Sequence, residues 1–210
     1  MCIAERQARR HRPRAEHGVS LVELIVFIVI VGIAAAGVVG ALSMATRAST
    51  DPMIQKQALA IAEALLEEVQ LQPFTYCDPD DPNAASALSA GGCTGGAGGP
   101  NDESLLVAGQ LGPEAGETRY SATTPYDNVS DYNGFPTPLV PGITDITGAA
   151  ITGLENYTAS VTVVNQTLGA ITAASGEAVL ITVTVDGPPG TNTRVVLDGY
   201  RVRYAPNALP

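Results

Sequence analysis

Four sets of side chains have the type and spacing to do chemistry. Glu23 stands five residues after Gly18, at the head of an apolar run from Leu24 to Met44 whose only polar side chain is Ser43. A charge at the centre of a bilayer costs about 2.5–3.5 kcal/mol, so such a carboxylate calls for a partner and a purpose. Cys77 and Cys93 bracket a loop rich in Asp, Pro, Gly and Ala. Two such thiols can oxidise, or hold a metal if further ligands join them. Asp127, Asn128, Asp131 and Asn133 offer hard oxygen donors beside Gly134, of the kind calcium accepts. Their spacing is not that of an EF-hand loop, and the same residue types are ordinary turn formers. Glu63, Glu67 and Glu68 are carboxylates at helical spacing with no histidine placed near them, which reads as a solvated helix face.

What is missing narrows the chemistry further. Both histidines, His11 and His17, precede Gly18, so a chain beginning at Val19 has no histidine, no tryptophan and a single lysine. That removes the commonest general base and the commonest transition-metal ligand. A zinc site would need two more ligands beyond the cysteines, and no C-x-x-C spacing is present. With no nucleophile–base pattern, the expectation is that the protein is not an enzyme and needs no cofactor, calcium at residues 127–133 being the one alternative.

Charge is unevenly placed. The chain carries 11 Lys and Arg against 21 Asp and Glu. Arg6, Arg9, Arg10, Arg12 and Arg14 lie before Gly18, and the remainder is strongly acidic. Such a surface repels phosphate backbones, which argues against nucleic acid bound by a broad basic face. Arg201 and Arg203 read as one exposed strand edge.

The elements that must position these groups begin with the apolar run. As a helix rising 1.5 Å per residue it can cross about 30 Å of hydrocarbon. The arginine cluster before it is expected to stay cytoplasmic, leaving the rest of the chain outside the inner membrane. A buried helix of a soluble protein is the bland rival. An ordinary signal peptide is the sharper one, with a possible cleavage site in "GIAAAG".

The residues G-V-S-L-V-E, followed by the apolar helix and preceded by a basic leader, resemble the class III signal of type IV prepilins and type II secretion pseudopilins. The resemblance implies that a membrane peptidase cuts after Gly18 and N-methylates Val19. It also implies that Glu23, at the fifth mature position, pairs with a terminal amine, often of the neighbouring subunit. Low dielectric strengthens that attraction. Val19 departs from the family's usual phenylalanine. The rival role for Glu23 is a helix-start residue at the membrane interface. Gly32, Gly37 and Gly40 suit close helix packing in membranes.

Beyond the run, Thr50-Asp51-Pro52 reads as a helix restart. Ile54, Ala58, Ile61, Leu65 and Val69 then form a helical stripe that Pro73 ends. Outside the inner membrane Cys77 and Cys93 are expected to form a disulfide. Tyr126, Tyr132 and Phe135 should anchor the intervening loop. Three period-two segments follow: Tyr157, Ala159, Val161 and Val163; Val179, Ile181, Val183 and Val185; then Val195 and Leu197 followed by Tyr200, Val202 and Tyr204, with the arginines opposite.

The fold class expected is therefore α+β and type IV pilin-like: a long membrane-anchoring helix packed on a small antiparallel sheet. Its regions are a leader over 1–18, a helix over 19–73 with its membrane and assembly half at 19–44, a disulfide loop and turn-rich region over 74–155, and a sheet over 156–210. The stretch "ALAIAEALLEEVQLQPF" (58–74), the cysteine loop and "YDNVSDYNGF" are most similar to MshD-type minor pilins of mannose-sensitive hemagglutinin (MSHA) pilus systems. That resemblance implies prepilin peptidase, the major pilin, other minor pilins and the inner-membrane assembly machinery as partners. It implies a single-pass inner-membrane precursor with a periplasmic domain, and a pilus or pseudopilus after assembly. A type II secretion pseudopilin, or a lone membrane-anchored periplasmic binding module, is the alternative.

Overall fold

The computed structural model describes residues 20–104, 111–136 and 142–209. The leader, with Gly18 and Val19, lies outside the described residues. The chain forms two compact units, Met1–Ala48 and Ser49–Pro210.

In the first unit the apolar run is helical, as the start of α1 (Leu21–Leu71). Leu21–Met44 is long and apolar enough to cross a membrane, and every side chain in it is exposed. Water would not tolerate this: Phe27, Ile33 and Leu42 each leave more than half of their surface open. The segment therefore requires an apolar phase or other apolar helices around it. A methyl group built on Gly32, Gly37 or Gly40 would touch nothing within 4 Å.

The restart expected at Pro52 does not occur, because Pro52 lies inside α1. In the second unit the helix presents the anticipated stripe. Ala58, Ala62, Leu65 and Val69 are buried, with Ile54, Ile61 and Leu66 packed at the edges. Against them lies a three-stranded antiparallel sheet in the order β1 (Thr158–Asn165), β2 (Ala178–Asp186), β3 (Arg194–Val202). Val161 faces Val183 across the first pair, and Val183 faces Leu197 across the second. The inward set expected on β1 and β2 is buried throughout, with Tyr157 just before β1. β-branched residues alternating on a half-covered surface explain both strands.

The end of β3 corrects the sequence reading. Placing Val195, Leu197, Tyr200 and Val202 on one face requires a change of phase at Asp198-Gly199. Instead β3 pairs residue for residue with β2 from Arg194 to Val202, with no bulge. Gly199 takes the inward position, and a methyl group there would overlap Gln70 and Leu66 of α1. Tyr200 and Tyr204 turn out to solvent, while Arg201 and Arg203 turn in. The Arg201 guanidinium donates to the carbonyl of Gln72, just past the end of α1, where a cation is favoured. Arg203 is buried, its guanidinium 4.2 Å from the Phe74 ring and 4.6 Å from the Tyr76 ring. Burial lowers its pKa, an effect opposed by Glu177. The exposed basic edge expected of these arginines is replaced by a buried cation that seats the last strand.

Cys77 and Cys93 are joined by a disulfide, both buried beside Ala84 and Ala87. Asp81 braces the loop it closes, accepting from the backbone N–H of Asn83 and of Thr94. Those bonds hold its carboxyl below the usual range against the opposing effect of burial. Full protection from alkylation is expected under denaturing, non-reducing conditions. Replacing both cysteines by serine should lower stability by about 3 kcal/mol in urea unfolding, from the loop entropy alone. Complete labelling of both thiols would show that the bridge does not form.

Candidate functional site

Two places in the chain concentrate functional side chains. The first is the N-terminal segment. Glu23 lies in the first turn of α1, one of the few places a carboxylate is favoured by the helix itself. The turn is closed by the N–H of Leu24 donating to the carbonyl of Ser20 at 3.1 Å. Glu23 is exposed among exposed apolar neighbours. It is thus presented to whatever surrounds the helix, and Gly18 and Val19 fall outside the described residues.

The second is a pocket of carboxylates in the other unit. Three groups have carboxylate oxygens mutually within 4.8 Å: Asp78, Glu114 and Glu117; Asp78, Asp80 and Asp127; and Glu103, Glu114 and Asp131. Glu103 and Asp131 are almost fully buried. Ser130 donates its hydroxyl to Glu103 Oε2, and the N–H groups of Asp127 and Asn128 donate to Asp131 Oδ2 at 2.9 and 2.7 Å. Burial, then repulsion among like charges, raises these groups from the ordinary carboxylate range. Asp127 is pushed up to about 7, Asp131 to about 8 and Glu117 to about 9. Glu103 also shifts upward, first by burial and then through Glu114.

The four donors selected from sequence do not come together as one shell. Asn133 is spent at both ends: its amide donates to the carbonyl of Leu111, and its oxygen accepts from the N–H of Val163. Asn128 donates to Thr75 Oγ1. Asp127 and Asp131 fall in different carboxylate groups. Within residues 127–133, the two asparagines are taken up by bonds to distant segments, and only the aspartates face other acids. Tyr126, Tyr132 and Phe135 do anchor this segment, with the Tyr126 and Tyr132 rings edge-on at 5.1 Å and Tyr132 fully buried. Asp78, Asp80, Glu103, Glu114 and Glu117 were missed because the short segments that carry them lie far apart in the chain. A signal was present nonetheless: no lysine or arginine occurs between Lys56 and Arg119, a stretch rich in acids.

A third arrangement explains one of those acids. Glu68, read as part of a solvated helix face, instead receives Arg119 in a two-pronged bond, Nε to Oε1 and Nη2 to Oε2, each 2.6 Å. Tyr132 adds its hydroxyl at 2.8 Å. Burial would lower the Arg119 pKa, but Glu68 and then Tyr120 outweigh it and the net shift is upward. The pair borders an apolar cleft of about 550 Å³ lined by Ile61, Leu65, Phe135, Ile143 and Leu154.

Residues 13–39 match the family described as the prokaryotic N-terminal methylation motif. The match takes in Gly18, Val19 and Glu23. Together with a long apolar helix packed through its second half on a small antiparallel sheet, it gives an α+β, type IV pilin-like arrangement and supports a type IV pilin or pseudopilin. That class implies processing by a prepilin peptidase and a general pilus assembly machinery. No curated protein and no solved structure matches the chain.

Proposed function

We propose that the chain is a minor pilin of an MSHA-like type IV pilus, made as a membrane precursor and built into, or priming, the filament. The carrying observation is the methylation motif at 13–39 leading into an exposed apolar helix. In this reading the protein catalyses nothing and is itself the substrate of prepilin peptidase, which cuts after Gly18 and methylates Val19. The basic leader stays cytoplasmic and the Ser49–Pro210 unit lies in the periplasm before assembly. Glu23 then meets a terminal amine in the filament, contributed by the major pilin or another minor pilin. Type II secretion pseudopilins share the motif, so recovery in sheared surface pili separates the two readings.

Co-expression with a prepilin peptidase should convert the chain to one whose first residue is N-methyl-Val19, read by intact mass. Gly18→Leu should abolish this conversion, because the scissile bond adjoins a position that offers no side chain to the peptidase. A mature chain starting at Gly37 would mean ordinary signal-peptide removal and would overturn the proposal.

A further inference from the structure

Seven carboxylates in the three groups above crowd one part of the second unit, and none makes a salt bridge to Lys or Arg among the described residues. A fold that gathers acids without cations pays for their repulsion unless something positive joins them. One atom shows where. Asp131 is 0% exposed, and its Oδ2 is held by two backbone N–H groups. Its Oδ1 has no hydrogen-bond partner among the described residues, although Asp131 shares its group with Glu103 and Glu114. A fully buried acceptor left without a donor is destabilising, the more so when charged.

We propose that Glu103, Glu114 and Asp131 form a divalent-cation site that takes calcium. The donors are all hard oxygens, and the chain's only cysteines among the described residues are tied in the disulfide, so nothing favours zinc. Calcium bonds oxygen at about 2.3–2.6 Å, which puts ligands on opposite sides of the ion about 4.6–5.2 Å apart. Oxygens mutually within 4.8 Å fit around one ion. Glu117 and Asp78 share Glu114 in the adjoining group and add to the negative field. The scaffold is already fixed. The Glu103 N–H donates to the carbonyl of Tyr76 at 2.8 Å, and its own carbonyl accepts from Arg203 at 2.9 Å. Buried Arg203 thereby holds the backbone of a ligand residue, while its guanidinium pairs with Glu177 at 3.6 Å. This site differs from the local Asp127–Asn133 set and does not depend on the pilin reading, because its test uses the purified protein alone.

The test is calcium titration of the full chain in detergent after chelator treatment, followed by calorimetry and by the near-ultraviolet signal of the tyrosines on heating. Wild type should bind one calcium ion saturably, and about 1 mM calcium, the range that suits extracellular sites, should raise its melting temperature. Magnesium at the same concentration should do less. Glu114→Gln, at a half-buried position, should fold and bind calcium at least about tenfold more weakly for want of a charged ligand. In chelator it should melt no lower than wild type, since removing one acid relieves repulsion. Asp131→Asn, which keeps an oxygen for the two N–H groups, should behave alike. Absence of saturable binding to wild type, or equal binding by wild type and Glu114→Gln, would overturn the site.

Discussion

Glu68→Ala should destabilise the Ser49–Pro210 unit by about 3 kcal/mol, while Glu63→Ala and Glu67→Ala on the same helix change it by less than about 0.5 kcal/mol. Glu63 and Glu67 are exposed; only Glu68 is half-buried. Removing its carboxylate strands the Arg119 guanidinium, whose side chain is 9% exposed. Breaking a buried pair by deleting one partner costs about 3–5 kcal/mol, because the surviving charge stays desolvated. The lower end applies because Arg119 keeps two acceptors, the carbonyls of Thr144 at 3.3 Å and Asp145 at 3.2 Å. The same deletion leaves the buried Tyr132 hydroxyl with Gln72 alone. Glu68→Gln, which keeps an acceptor but not the charge, should fall between. Urea unfolding of the full chain in detergent, followed by tyrosine near-ultraviolet signals, measures all four variants. Equal effects at residues 63, 67 and 68 would return Glu68 to the solvent-facing set.

That contrast shows what local pattern can and cannot carry. The α1 stripe and the inward residues of β1 and β2 were legible because one periodicity decides both conformation and burial. Position 68 was not, since its partner lies in a turn fifty-one residues further on and no helical wheel contains it. β3 failed differently. Counting apolar side chains favours Tyr200 and Val202 on the inside, but an inward glycine contributes nothing to that count. Gly199 sits against the Gln70 and Leu66 side chains of α1, so the absence of a side chain was itself the packing signal. The carboxylate pocket draws on residues from Asp78 to Asp131, held by loops and turns except for Asp131 in a single 3-10 turn, Ser130–Tyr132. Short-range spacing therefore gathered Asp127 and Asp131 with two asparagines whose side chains are bonded elsewhere, to Thr75, Leu111 and Val163.

Glu23→Ala should leave processing at Gly18 and membrane level unchanged yet cut recovery in sheared pili by more than about a hundredfold. Two roles for this carboxylate predict different magnitudes. As a first-turn acid of α1 it interacts with the helix dipole, worth about 0.3–1 kcal/mol at an exposed position. Losing that would change any equilibrium by less than about tenfold. As the partner of a terminal amine inside a filament, its removal leaves that amine buried and unpaired, at about 3–5 kcal/mol. Insertion into the membrane should if anything become easier, since a polar group is gone from the apolar run. Retention of membrane level with loss from pili therefore isolates the contact between subunits. Glu23→Gln sharpens the choice, because it preserves size and hydrogen bonding while removing the charge, and should fail almost as badly as alanine. The measurement compares wild type, Glu23→Ala and Glu23→Gln for membrane content, mature N-terminus and abundance in sheared filaments. Equal abundance of all three would make Glu23 a helix-start residue and remove it from the assembly contact.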